Sequence, residues 1–171
     1  MPAQNVGKFF DFRARVSASA WAIDPDQGAL EAVVLSTSRR RSRGLEQVVE
    51  MGTLSVESIQ AGGSVPQSFD VELDPDRLKG ASRVQVYFDG ITSDGVTLMN
   101  DHEGARSARN VGVQLLDSAG KVMRLGSAGR LEYPLFEPDL RLSFTARLVS
   151  TCGPVAAGEF SAFAECVITY A

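Results

Sequence analysis

The chain alternates. Its last stretch, "GEFSAFAECVITYA", places Phe160, Ala162, Ala164, Cys166, Ile168 and Tyr170 on one side of a period-2 element, with Glu159, Ser161, Glu165 and Thr169 on the other and Phe163 and Val167 as exceptions. That pattern predicts a strand with one buried face. Similar short runs recur at "KFFDFRARVSA", "ALEAVVLS", "EQVVEMGTLS", "QSFDVEL", "SRVQVYFDGI", "GVTLMN", "NVGVQLLD" and "LSFTARLVS", each bounded by Gly, Pro, Asp or Ser. "DSAG" at 117–120 reads as a hairpin connection between "VGVQLL" and "KVMRL", with Gly120 free to take positive φ. Only "VESIQAGG" suggests helix, one turn ending on Gly62. The expected class is all-β, an antiparallel sandwich.

A strand at the end of a chain raises a question of cover. It lies inside a sheet, or it presents unpaired N–H and C=O groups that invite another chain.

Composition narrows the picture. With 171 residues, 44% hydrophobic and 22% charged, the chain suits one globular domain rather than a disordered polymer. A net charge of −4 and a pI near 5.0 argue against nucleic acid as a partner. No run approaches the apolar length of a membrane helix, and "MPAQNVGKFF" lacks the charged start and long apolar core of a signal peptide. The basic run "RRRSRG" at 39–44 suits an anionic glycan or phosphate in principle, and a solvated loop more simply.

Catalytic chemistry is thin. The sole histidine, His102, stands in the polar stretch "NDHEGARS"; a Ser-His-Asp set is easily assembled from a chain rich in Ser and Asp, and so says little. His102 with Asp101 and Glu103 makes a poor metal cage, since adjacent residues seldom converge on one ion. "QAGGS" and "RLGSAGR" lack the strand-to-helix context of a phosphate loop. The reading is no enzyme, no cofactor and no metal. Cys152 and Cys166 are the only cysteines, and their spacing leaves open one disulfide or two free thiols.

Taken together, these stretches resemble the type 1 fimbrial (pilin) subunit family of bacterial chaperone/usher pili. The penultimate tyrosine, Gly158 fourteenth from the end and the alternating terminal strand are similar to that family's C-terminal pattern. "NVGVQLLDSAGK" resembles its "NVGVQ-LLD" hairpin, "LSFTARLVS" its "F-x-A-R-Y" strand, and "VVEMGTLSVESIQAGGSVPQSFDVEL" its "LG-x-V", polar loop and "F-x-I-x-L" succession. The resemblance implies an incomplete immunoglobulin-like sandwich that is completed by a donor strand from a neighbouring subunit or a chaperone. Gly158, Phe160, Ala162, Ala164, Cys166, Ile168 and Tyr170 would then form the groove strand.

The same resemblance implies an N-terminal donor segment over residues 1–12, overlapping the first strand, and a pilin domain over 13–171. Val6, Phe10 and Phe12 fall on one phase of that segment, Gly7 and Phe9 on the other, and the pattern leaves the register open. Gly7 is the candidate for a family glycine that lies where the groove is shallow. The implied partners are a periplasmic chaperone, an outer-membrane usher and neighbouring subunits; the implied location is a cell-surface fimbrium reached through the periplasm. The expected role is a structural shaft or adaptor subunit for adhesion or biofilm, the alternative a pilin-like binding module or minor adhesive subunit. Two departures stand out. Trp21 occupies the place of the family's first cysteine and the second falls near Asp76, so the usual bridge is absent, and a Cys152–Cys166 bridge is the expected replacement staple.

Overall fold

The computed structural model describes residues 4–18, 46–102, 104–134 and 141–171. The expected strand at 29–36, the "RRRSRG" run, Trp21 and Glu103 lie outside the described residues.

Two sheets pack face to face. One carries β1 (Gln4–Ser17), β2 (Glu46–Ser55), β4 (Arg83–Gly90), β7 (Leu131–Pro134) and β9 (Gly158–Tyr170), in the order β2-β1-β9-β4-β7. The other has β3 (Gln67–Glu72), β5 (Thr97–Met99), β6 (Val111–Leu116) and β8 (Arg141–Ser150), in the order β3-β8-β6-β5. The expected all-β sandwich is present. Between the described strands pairing is antiparallel, except that β1 runs parallel to β2.

Strict alternation explains the core. Along β4 and β8 alternate residues are buried, including Val84, Val86 and Phe88 on one sheet and Leu142, Phe144, Ala146 and Leu148 on the other. Between the sheets Phe10, Phe12, Phe69, Phe88 and Phe144 form one aromatic cluster, with centroid separations of 5.2 to 6.3 Å.

The short helices follow local rules. In α1 (Val56–Gln60) the Ser55 hydroxyl accepts the Ser58 N–H, and the chain leaves through Gly62 at φ 123°. A second helix, α2 (Pro75–Leu78), is set by Asp74, whose side chain caps Asp76 N–H, and by Pro75 in the first turn. The expected "DSAG" turn forms: Asp117 Oδ1 accepts from Ala119 and Lys121 N–H, and Gly120 takes φ 81°. Beyond it, "KVMRL" makes only an isolated bridge, Leu116 to Val122, rather than a full strand.

Candidate functional site: the slot between β2 and β9

The chain's final strand sits mid-sheet. β9 pairs with β4 on one side, from Val84↔Tyr170 to Gly90↔Ala164, and with β1 on the other, from Gln4↔Tyr170 to Val16↔Gly158. The chain's own N-terminal segment thus supplies the strand that covers β9. It runs unbroken across residues 12 and 13, so the expected 1–12 and 13–171 division coincides with no break in the strand.

β9 is anchored at both ends. At Gly158, φ is 152° and a Cβ would overlap the backbone of residues 106–108, which approaches closely enough for Glu159 N–H to bond Arg106 C=O. At the other end, Tyr170 Oη accepts Asp74 N–H at 3.0 Å and Ala171 C=O accepts from Ser82 and Arg83. Burial raises the Tyr170 pKa, the Asp74 N–H bond opposing it. Between these ends Phe160, Ala162, Ala164, Cys166, Ile168 and Tyr170 are all buried, as the alternation predicts.

The inward phase of β1 is Val6, Lys8, Phe10, Phe12, Ala14 and Val16. Phe10, Phe12 and Val16 are buried, and Val6 and Ala14 are partly buried against the core. Their sizes are reciprocal to those on β9. Phe10 lies opposite Ala164, Phe12 opposite Ala162, and Ala14 opposite Phe160. A shift of two residues keeps every side chain on its face yet sets Phe12 against Phe160 and Ala14 against Gly158, crowding one position and emptying the next, so size matching selects the register. At 1.5–3 kcal/mol per side chain, Phe10, Phe12 and Val16 together contribute about 5–9 kcal/mol.

Gly7 lies on the outward phase with Phe9. A Cβ there would overlap the Glu165 carboxylate, so Gly7 makes room for a side chain of β9. The place in the groove that holds a small side chain is Ala14, opposite Phe160. This corrects the expectation that Gly7 meets a shallow part of the groove.

A buried polar lock accompanies the strand. Asp11, fully buried, accepts from Arg13 Nε at 2.6 Å and from Ser161 Oγ at 2.7 Å, tying β1 to β9. Asn100 completes the neighbourhood: its Oδ1 accepts Ser161 N–H and its amide donates to the carbonyls of Ala108 and Glu159. Across β2, burial raises the Glu50 pKa while the Arg13 charge opposes it. Nothing in the sequence marks Asp11 and Arg13 as buried, since they lie on the phase of β1 opposite Phe10 and Phe12.

The two cysteines are free, Cys152 exposed and Cys166 buried. Cys166 points into the core eight residues along β9 from Gly158, about 26 Å of extended chain, while Cys152 lies in the loop preceding that strand, beside Asn110. Bridged cysteines keep their Cα atoms within about 7 Å. The expected staple is therefore absent, and burial pushes the Cys166 thiol up to about 12.

His102 does meet a serine and a carboxylate. Its Nδ1 lies 2.7 Å from Ser107 Oγ and its Nε2 2.9 Å from Glu159 Oε2. The Ser107 hydroxyl, however, donates its proton to the His102 carbonyl at 2.6 Å, which leaves the imidazole no proton to abstract. The set works as a clip that holds the loop before β6 against the start of β9. Among the described residues no group of three or more His, Cys, Asp or Glu is placed to hold a metal ion.

Comparison with known proteins agrees with this architecture. The chain is 28% identical over 142 residues to the type-1 fimbrial protein C chain of Escherichia coli, covering 81% of this chain and 78% of that one. The fold is similar to the crystal structure of a Burkholderia pseudomallei antigen and type I fimbria protein, at a TM-score of 0.63, 20% identity and coverage of 98% and 100%. It is also similar to the AfaE-3 adhesin of Escherichia coli, at 0.51, 9% identity and coverage of 100% and 99%. The two solved structures share the two-sheet, all-β fold. With the family described as Fimbrial protein matching residues 41–171, the chain belongs to that family and is a pilus subunit, not an enzyme.

Proposed function

We propose that the protein is a shaft or adaptor subunit of a chaperone/usher pilus, polymerising by donor-strand exchange in which β1 of one subunit fills the slot between β2 and β9 of the next. One observation carries the reading. β1 is antiparallel to β9 and parallel to β2, and it is not the sequence neighbour of β9, since β1 ends at Ser17 and β9 begins at Gly158. A strand held in this way is exchangeable. A second copy's β1 makes the same ladder and fills the same side-chain positions, so the swap costs little contact energy and is governed by concentration.

Val6, Phe10 and Phe12 are then donor anchors, and Gly158 to Tyr170 the acceptor strand. Until a subunit's slot is filled, β9 has a bare edge next to Phe69, Phe88 and Phe144. That surface is aggregation-prone, which is the physical reason for a chaperone to lend a strand in the periplasm and an usher to hand subunits on. The finished fibre lies at the cell surface.

The test is size-exclusion chromatography with light scattering on the intact chain and on a chain lacking residues 2–17. Oligomers that grow with concentration in the intact chain, together with a truncated chain that captures a peptide of residues 4–17, support exchange. An intact chain that stays monomeric after refolding at high concentration, with no peptide capture by the truncated chain, overturns it.

A further inference from the structure

We propose that a pocket on the outer face of the β1-β9-β4 sheet docks a protein segment bearing an arginine or lysine between apolar side chains. The pocket has a volume of about 310 Å³, and its walls include Phe9 of β1, Phe163 of β9, Ile91 and Met99. Ile91 is 66% exposed and Met99 44%. Among the described residues only Val65 joins them as an exposed large apolar side chain, so most of this exposed apolar surface is gathered at one place.

The polar part of the lining has one sign. Asp89, Asp101 and Glu165 border the pocket, and among the described residues that line it none is cationic. Gly7 keeps the space into which Glu165 leans, and Gly90 lets β4 close on Phe163 at the pocket's base, where a Cβ would overlap Leu98 and crowd the Phe163 carbonyl. The carboxylates do not converge as a metal cage does. They suit an extended cation with an apolar stem. Such a side chain places its methylenes on Ile91 and Met99 and its charge near the carboxylates.

Phe9 belongs to β1. Where β1 comes from a neighbouring subunit the pocket spans two subunits, and this last clause alone rests on the strand-exchange reading. The closed chain already has the complete pocket, so failure of either idea leaves the other standing.

The experiment uses the intact protein and fluorescence anisotropy with a fluorescein-labelled peptide, LRLRL, against LSLSL as the uncharged control. Saturable binding of LRLRL is expected, weakening about tenfold in the double variant Asp89→Asn/Glu165→Gln and in Met99→Ala, and falling as salt rises from roughly 50 to 500 mM. Asp76→Asn, a charge removed on exposed α2, is the control and is expected to bind as the unmodified protein does. Circular dichroism verifies that each variant is folded. Four results overturn the proposal: no binding at about 1 mM protein, equal binding of LSLSL, equal weakening by Asp76→Asn, or a folded double variant that binds unchanged.

Discussion

Replacing Phe12 with alanine isolates what β1 contributes to the sandwich. The ring is fully buried, 5.2 Å from the Phe69 centroid at an interplanar angle of 77° and 6.3 Å from that of Phe10. Its β9 neighbour, Ala162, is too small to collapse into the space left behind. Truncation of a phenylalanine so placed costs about 3–5 kcal/mol. Phe9, three residues earlier on the outward phase, is only half-buried, and Phe9→Ala is expected to cost about 1 kcal/mol. Equilibrium urea unfolding separates the two: with a slope of about 2 kcal/mol per molar, Phe12→Ala lowers the midpoint by roughly 1.5–2.5 M and Phe9→Ala by about 0.5 M. The pair makes the test specific to register, because a one-residue slip would exchange their roles. Equal losses, or a larger loss for Phe9→Ala, would refute the placement of β1 on β9.

Other outcomes follow from the same geometry. Asp11→Ala leaves the buried Arg13 guanidinium without its carboxylate and should cost about 3–5 kcal/mol, whereas Asp11→Ala/Arg13→Ala should cost less than the single change; a larger loss in the double variant would rule out the ion pair as the reason. An aromatic disulfide reagent at pH 8 should label one thiol in the native protein, Cys152, and two after unfolding, since Cys166 is buried with its pKa at about 12; rapid labelling of both in the native state would contradict that burial. Burial raises the Glu50 pKa above its ordinary 4.5, so its proton is held more tightly in the folded state, and its contribution to stability declines as pH rises from 4.5 upward. Glu50→Gln should therefore be at least as stable as the parent at pH 7 and lose that advantage below about pH 4.5; a variant less stable at pH 7 would mean that the Arg13 attraction outweighs burial.

The strands that carry the core were readable because one face is buried and the other wet. β4, β8 and β9 show the alternation without interruption on their inward side, and Gly158 and Tyr170 mark the ends of β9. What escaped was decided by neighbours rather than by local pattern. Residues Gln4 to Gly7, placed in a strand by the family resemblance rather than by their own pattern, join β1 because β9 continues to Tyr170 beside them. Leu131–Pro134 is a four-residue edge strand whose exposed proline argues against pairing on sequence alone. The register of β1 was hidden because Phe9, Phe10 and Phe12 occupy both phases. The signal that resolves it, large against small between β1 and β9, is visible only once the two strands are known to be partners. Asp11 and Ser161 escaped for a related reason: a charge buried by its partners looks in sequence like a charge in water. The disulfide expectation rested on the absence of the family's usual bridge, and it failed because Cys166 lies far along β9 from the loop of Cys152.

The most direct measurement is a cross-strand disulfide. Asn5 and Thr169 face each other across β1 and β9, with Thr169 Oγ1 donating to Asn5 Oδ1 at 2.7 Å on the exposed side of the sheet. Asn5→Cys and Thr169→Cys, introduced together with Cys152→Ser, place two thiols where oxidation can join them. The account predicts a closed monomer when the protein is unfolded, refolded and oxidised in dilute solution, and a ladder of covalent oligomers on non-reducing gels when the same is done at high concentration. A pair that fails to cross-link in either condition would contradict the seating of β1 on β9, and closed monomers alone at every concentration would contradict strand exchange.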